Sequence, residues 1–594
     1  MKWCVGMKLM HEFSVWAPNA AKMAVKIGDG SYPMNGPDER GWWRVVVASA
    51  EPGTDYGFLV DDDLMAYPDP RSAWQPHGVH GPSRLYDHTA FRWNDSRWQA
   101  SPLSSAILYE LHIGTFTQQG TFDAAIERLD SLVELGITHV EVMPIAAFPG
   151  DYGWGYDGVA LFAVQEAYGG PDGFKRFIDA CHARGLAVVL DVVYNHFGPV
   201  GNYTGKFGPY ITGKHHTPWG GAVNFEGAGS DEVRRFFCDN ALMWLRDYHV
   251  DGLRLDAVHE FADRSAVHFM EQLSAEVEAL SATLGRRLVL IAESDLNDPR
   301  VVTPREAGGY GMDAQWSDDF HHALFSLLSA AEAGRGYYDD YGSFANLAKS
   351  LQQMFVYDGQ YSRYRHRSHG RPVEGLSAHH FIGFIQNHDQ IGNRAIGDRL
   401  EHIQTVGMER AKIGAAMVLM APCIPMIFQG EEFAASTPFQ YFAHHEDAEM
   451  AQSVSEGRRR EFAAFGWRDD QIPDPEKVET FQRSKLNWAE AGEGRHAAML
   501  DWYRRLIHLR RGSPSLNDGD LGEVKVQFDE ERRWLAMDRG RIMVICNLGA
   551  GAVEIGNPAG FKLALASRDG VALGQGRVTV PAETLAILSD EDHN

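Results

Sequence analysis

Four stretches of this 594-residue chain put a carboxylate or histidine straight after a run of strand-forming residues. They are Asp191–His196 (DVVYNH), Gly252–Asp256 (GLRLD), Leu288–Glu293 (LVLIAE) and Phe381–Asp389 (FIGFIQNHD). In a barrel of parallel strands, residues just past the C-terminal strand ends converge on one pocket, so this pattern gathers acids around a single substrate. Two acids astride a glycosidic bond meet the needs of its hydrolysis. One attacks the anomeric carbon and the other protonates the departing oxygen, and retention of configuration sets them roughly 5 Å apart. Asp256 closes one strand, and Arg254, two residues back on the same strand face, is placed to hold it ionised and oriented. Glu293 follows the apolar run LVLIA, where desolvation would raise its pKa and keep it protonated near neutrality. Singly, either acid reads equally well as a helix N-cap or a strand-end ion pair, and NHDQIGN as a polar turn. Four such stretches in order favour the shared pocket.

Elements that would position these residues alternate along the chain. Strands are expected at Ile107–Ile113, His139–Pro144, Leu186–Val193, Gly252–Asp256, Leu288–Ala292, Gly311–Trp316 (weakly), Phe381–Ile385 and Ile424–Phe428. Between them, helical periodicity marks Phe122–Leu135, Phe174–Arg184, Asp231–Tyr248, Ala266–Leu284, Phe320–Ala331 and Glu409–Met420. Alternation of this kind implies βαβ units and a parallel sheet, and eight strands suffice to close a (β/α)8 TIM barrel. Before it, Phe13–Pro18, Met23–Ile27 and Trp43–Ala48 are β-rich and separated by Gly, Asn and Pro, the pattern of a small β-sandwich. Short strands return at Glu523–Phe528, Trp534–Asp538, Ile542–Asn547 and Thr584–Leu588, as a small C-terminal β-sandwich. The expected domains are therefore 1–100, 101–515 and 516–594. The segment between Val193 and Asp231 is too long for a plain βα loop and is rich in Gly, Pro, Tyr and His, so it is expected over the barrel mouth. A second long excursion spans Gly430–Trp488, and its charge cluster Arg458–Glu461 reads as a solvated helix face.

Composition limits the partners. Asp and Glu number 80 against 55 Lys and Arg, a formal charge of −25. That excess repels phosphate backbones and anionic membranes, so neither nucleic acid nor membrane is an expected partner; a neutral polyhydroxylated substrate fits, although many enzymes are acidic for solubility alone. The first residues, MKWCVGMKLMHEFSVW, lack the apolar core and small-residue site of a signal peptide, and no stretch of about 20 apolar residues occurs. Cys4, Cys181, Cys238, Cys423 and Cys546 are scattered and show no C-x-x-C spacing, which supports neither zinc nor a disulfide framework. A reducing cytoplasm is the expected setting.

The four motifs resemble, in order, the four signatures of the α-amylase family of retaining α-glucosidases and transglycosidases. The resemblance implies that Asp256 is the nucleophile, Glu293 the general acid/base, and Asp389, with His388, the group that stabilises the transition state and distorts the sugar ring. It further implies that His196 donates a hydrogen bond to that sugar, that Asp191 shapes the site, and that Tyr156, in YGWGYDG, stacks on the sugar at the cleaved bond. With Arg254 and His259 these residues form the expected substrate-binding set. One departure stands out: many α-amylases carry a histidine four residues after the nucleophile, where this chain has Glu260, with His259 one position early. Glu260 is expected either to face the leaving group or to cap the next helix. In many amylases the asparagine of the first motif binds calcium; Asn195 has no further ligand cluster in the sequence, so neither metal nor cofactor is expected.

FIQNHDQIGNRA, QGEEFAASTPFQYFAHHED, EGRRREFAAFGW and TFQRSKLNW resemble segments of the trehalohydrolase branch of the family, whereas ELHIGTFTQQGTFDAAIERLDSLVELGITHVEVMP fits that branch and branching enzymes alike. The first resemblance implies hydrolysis of the α-1,4 bond joining a maltooligosaccharide to a terminal trehalose, with maltooligosyltrehalose and related α-glucans as partners. An α-glucan branching enzyme and a catalytically silent glucan-binding barrel are the alternatives. The loops Phe197–Phe225 and Phe433–Trp467 would read the bent 1,1-linked pair, with Trp219, Tyr203, Phe439 and Tyr441 as candidate stacking platforms. The N-terminal β-domain resembles the carbohydrate-binding-type modules attached to such barrels.

Overall fold

The computed structural model describes residues 10–329, 336–463 and 467–591. At its centre eight parallel strands close in sequence order: Leu108–Leu111, His139–Val142, Ala187–Val192, Gly252–Leu255, Val289–Ala292, Ala314–Trp316, Phe381–Gly383 and Ile424–Phe428. The eighth pairs with the first, so no strand edge is left open. Every residue of the first five strands is buried, including the polar Glu110, His139, Glu141, Asp191 and Arg254. Gly252 opens the fourth strand because a Cβ there would meet Val289 Cγ2 at 2.4 Å and the Val289 carbonyl at 2.9 Å. The expected helix Phe122–Leu135 is two short helices, Phe122–Ile126 and Leu129–Leu135, separated by a turn at Glu127–Arg128. The expected helix Phe320–Ala331 starts two residues earlier, as Asp318–Ser329, and its last two residues lie outside the described residues.

The N-terminal strands form a two-stranded sheet, His11–Trp16 with Trp42–Val47, facing a four-stranded one ordered Gly30–Pro33, Met23–Ile27, Asp55–Val60 and Ser83–Arg84. Phe13, Val15, Val25, Trp43 and Phe58 fill the space between. Trp42 donates through Nε1 to Glu232 (3.0 Å) and Arg71 pairs with Asp239 (2.8 Å), which pins these sheets to the helix Ser230–Asp247 that follows the third barrel strand. At the other end, the five-stranded antiparallel sheet Val524–Asp529, Trp534–Arg539, Ile542–Asn547, Thr584–Ser589 and Lys562–Ala566 packs on a three-stranded one. Ile545, Val553, Ile555, Val578 and Val580 lie between the two sheets. The buried guanidiniums of Arg510 and Arg539 donate to the carbonyls that end the helix Gly407–Met420, joining that sandwich to the barrel.

The two long excursions build the barrel mouth. After the third strand, a hairpin of Ile211–Thr217 and Gly220–Val223 carries Trp219 at its tip, half exposed. After the eighth, the helix Ala448–Ala463 crosses back over the mouth. Cys181, Cys238, Cys423 and Cys546 are buried free thiols, and Cys4 lies outside the described residues. Among the described residues no helix is long and apolar enough to cross a membrane.

Candidate active site

The ladder between the third, fourth and fifth strands runs one residue past the strands. Asp256 donates its amide to the Val192 carbonyl (3.1 Å) and Glu293 its amide to Leu255 (3.0 Å), so the two acids emerge at the same level on neighbouring strands. Immediately after Asp256 the backbone turns into the left-handed region at Ala257 (φ 39°), a conformation that costs a residue with a Cβ about 1–2 kcal/mol. That turn aims the Ala257 amide at Glu293 Oε2 (2.8 Å).

Arg254 organises the floor. It is fully buried; one terminal nitrogen donates to Asp191 Oδ2 (2.7 Å) and Asp256 Oδ1 (2.9 Å), the other lies 3.0 Å from Glu293 Oε2, and the guanidinium sits 4.1 Å from the Trp316 ring centre. Asn195 completes the surroundings of Asp256 by donating Nδ2 to its Oδ2 (2.7 Å) and to its carbonyl (2.9 Å). Glu293 therefore meets a cation and an amide donor, not the apolar pocket that LVLIA implies, because those apolar side chains belong to the strand below it. Burial pushes the Asp191 carboxyl up to about 7 against the opposing pull of Arg254.

A second chain of hydrogen bonds fixes His388, the neighbour of Asp389. His388 donates Nδ1–H to Glu110 Oε1 (2.5 Å), and its Nε2 lies 2.8 Å from the Tyr156 hydroxyl, which in turn donates to Asp191 Oδ2 (2.6 Å). Burial alone would lower the His388 pKa, but the Asp389 and Glu110 carboxylates outweigh it and raise it to about 9. His388 Nε2 is 3.6 Å from Asp389 Oδ1.

These groups line a cleft of about 760 Å³ walled by Trp154, Tyr156, Asp157, His196, Pro218, Trp219, His259, Asn393, Tyr441, Val454, Gly457, Arg458 and Glu461, with Asp256, Glu293, His388 and Asp389 facing it. Several expectations need correction. Asp191 and Arg254, grouped with the substrate-binding set, lie beneath the floor, 2% and 0% exposed and off the cleft lining, where Arg254 meets Asp191 and Asp256 as a site-shaping pair would. His196 is not a free donor: Nδ1 meets Asn195 Oδ1 and Nε2 lies 3.0 Å from the Tyr156 carbonyl, while its ring stacks on Trp219 at 4.9 Å. Glu260 ends a single helical turn, Val258–Glu260, off the cleft lining, and the next helix is capped by His268. Tyr156 does line the cleft, with its hydroxyl on Asp191 and its ring stacked on His388. Phe439 is a core residue packed against Trp154 and Phe428, and Tyr203 packs on Tyr67 and His80 away from the acids. The cluster Arg458–Glu461 is not wholly solvated, because Arg458 turns inward with a side chain 9% exposed.

Residues absent from the sequence reading include Trp154 and Asp157, which flank Tyr156 in YGWGYDG, and Glu110, within the first strand. Asn393 and Arg458 gave no separate signal. Among the described residues no group of three or more His, Cys, Asp or Glu side chains is arranged to hold a metal ion.

A family model described as "Alpha amylase, catalytic domain" matches residues 87–208, and one for a domain of unknown function, DUF3459, matches residues 519–587. A crystal structure of a Salmonella typhimurium protein assigned as an alpha amylase superposes with a TM-score of 0.89 at 37% identity over 99% of both chains. Closed barrel, strand-end acids and these matches together define an α-amylase-type glycoside hydrolase. The malto-oligosyltrehalose trehalohydrolase of Mycobacterium tuberculosis is 48% identical over 584 residues, covering 98% of this chain and 99% of its own length. That of Rhizobium sp. (strain M-11) is 47% identical over 586 residues and 97% of each chain. The chain belongs to the malto-oligosyltrehalose trehalohydrolase family.

Proposed function

We propose that this chain hydrolyses the α-1,4-glucosidic bond next to the terminal trehalose of a maltooligosyltrehalose, releasing trehalose with retention of configuration. The observation that carries the mechanism is the shared anchor of the two acids: one guanidinium holds Asp256 at 2.9 Å and Glu293 at 3.0 Å. A common anchor favours the spacing of a retaining pair, about 5 Å, over the ~6.5–9.5 Å an inverting pair needs for an intervening water. In this reading Asp256 attacks the anomeric carbon while Glu293 gives its proton to the departing trehalose oxygen. The resulting glycosyl ester is then opened by water, whose proton Glu293 takes back, and the shortened maltooligosaccharide leaves. Asp389, with His388 beside it, binds the ring hydroxyls and stabilises the oxocarbenium-like transition state. His259 and Trp219, lining the cleft, are substrate contacts in this reading.

Residues 101–515 carry this chemistry, flanked by β-domains of residues 1–100 and 516–594. Buried free thiols fit a reducing cytoplasm. The test is incubation with maltooligosyltrehalose and, separately, with amylose. Trehalose released from the first is the expected result. New branch points in the second would replace hydrolysis with chain transfer, and no turnover of either would remove the enzymatic reading.

A further inference from the structure

The helix Ala448–Ala463 carries three consecutive arginines, of which Arg458 is the most deeply buried, while Arg459 reaches Asp474 at 3.4 Å and Arg460 lies at the surface. Arg459 and Arg460 have side chains 38% and 71% exposed, against 9% for Arg458. Burying a guanidinium is costly unless its donors are used, so its partners indicate what it is for. It donates to the Gly392 carbonyl, to the Arg394 carbonyl (3.4 Å) and to Asn393 Oδ1 (3.5 Å), gripping three consecutive residues. The faces of Phe462 and Tyr441 lie 4.5 and 5.3 Å from it, and Glu461 Oε2 is 3.4 Å away.

The gripped residues end the short helix His388–Gly392, which carries Asp389. Asn393 returns to that helix twice: its amide donates to the Asp389 carbonyl (2.9 Å) and its side-chain Nδ2 to Asp389 Oδ1 (3.2 Å). The polarity is consistent along the whole path, because the Asn393 oxygen faces the guanidinium and its nitrogen faces the carboxylate. Both Asn393 and Arg458 line the cleft.

We infer that Arg458 is a positioning residue: through Asn393 it sets the orientation of the Asp389 carboxylate, and so couples the seating of the helix Ala448–Ala463 to catalysis. This rests on Asp389 acting as the third carboxylate. The path begins some 70 residues after Asp389 in the chain and reaches it through one side chain, so either link can be cut alone.

The test is a cycle of Arg458→Met, Asn393→Ala and the double variant, with kcat and KM measured on a defined maltooligosyltrehalose and referred to folded protein. Each single variant should lower kcat about 10- to 100-fold, the size expected for a misplaced catalytic group, with a smaller change in KM. The double variant should fall no further than the worse single, since both cut one path. Arg458→Lys, whose single ammonium cannot span the three acceptors, should resemble Arg458→Met, and Arg460→Met should be unchanged. Full kcat in Asn393→Ala, or losses that multiply in the double variant, would overturn the inference. If Arg458→Met does not fold, the Asn393→Ala and Arg458→Lys pair decides in the same way. Near-normal turnover in Asp389→Asn would instead remove the role of Asp389 itself, a failure distinguishable from that of the path.

Discussion

Replacing Arg254 acts where the site's charges are most concentrated. The guanidinium is fully buried and within 2.7 Å of Asp191, 2.9 Å of Asp256 and 3.0 Å of Glu293. Arg254→Met leaves these carboxylates facing one another, and removing one partner of a buried ion pair costs about 3–5 kcal/mol. Arg254→Lys keeps the charge but gathers its donors on one nitrogen, too compact to replace the two guanidinium nitrogens that face Asp256 and Glu293. One charge-assisted hydrogen bond is worth about 1.5–3 kcal/mol, and about 1.4 kcal/mol corresponds to tenfold in rate. The lysine variant should therefore lose about 10- to 100-fold in kcat/KM, and the methionine variant both more activity and several kcal/mol of stability. Trehalose release gives the first quantity and urea unfolding the second. A lysine variant within about threefold of the natural enzyme, or a methionine variant with an unchanged unfolding midpoint, would refute the idea that this cation holds the acids.

The His388 pKa is raised to about 9, so the charged ring that donates to Glu110 persists through neutrality and its contribution is lost as pH rises through that value. The kcat/KM profile should fall on an alkaline limb near pH 9 that is absent from the residual activity of His388→Asn; an identical limb in the variant would assign it elsewhere. Trp219, half exposed at the hairpin tip and stacked on His196, should act through binding. Trp219→Ala should raise KM by about tenfold with kcat little changed, the worth of one aromatic stacking contact; a fall in kcat at constant KM would contradict this.

The barrel was legible because strands such as Ala187–Val192, Val289–Ala292 and Ile424–Phe428 are largely apolar and alternate with helical periodicity, as strands buried on both faces do. The weak strand near Gly311–Trp316 exists as only three residues, Ala314–Trp316, too short for periodicity to mark clearly. What sequence could not give was the direction of individual side chains at long range. Glu110 and His388 lie 278 residues apart and meet only because strand closure brings the first and seventh strands to one mouth. Arg458 reads as one charge in a charged run, since nothing local says which face of its helix meets Gly392. His196 was legible as a site residue but not as one whose ring nitrogens are both engaged by the protein, which depends on the Asn195 amide being fixed by Asp256. Phe439 shows the reverse error: an aromatic in a long loop that packs beneath it.

In the proposed mechanism Asp256 becomes covalently glycosylated during turnover. A fluorinated α-glucosyl donor that forms the ester faster than water opens it, followed by peptide mass spectrometry, tests this directly. The expected result is a single sugar adduct on Asp256 and an initial product that keeps the α configuration by NMR. An adduct on another residue, or release of the β anomer, would contradict it.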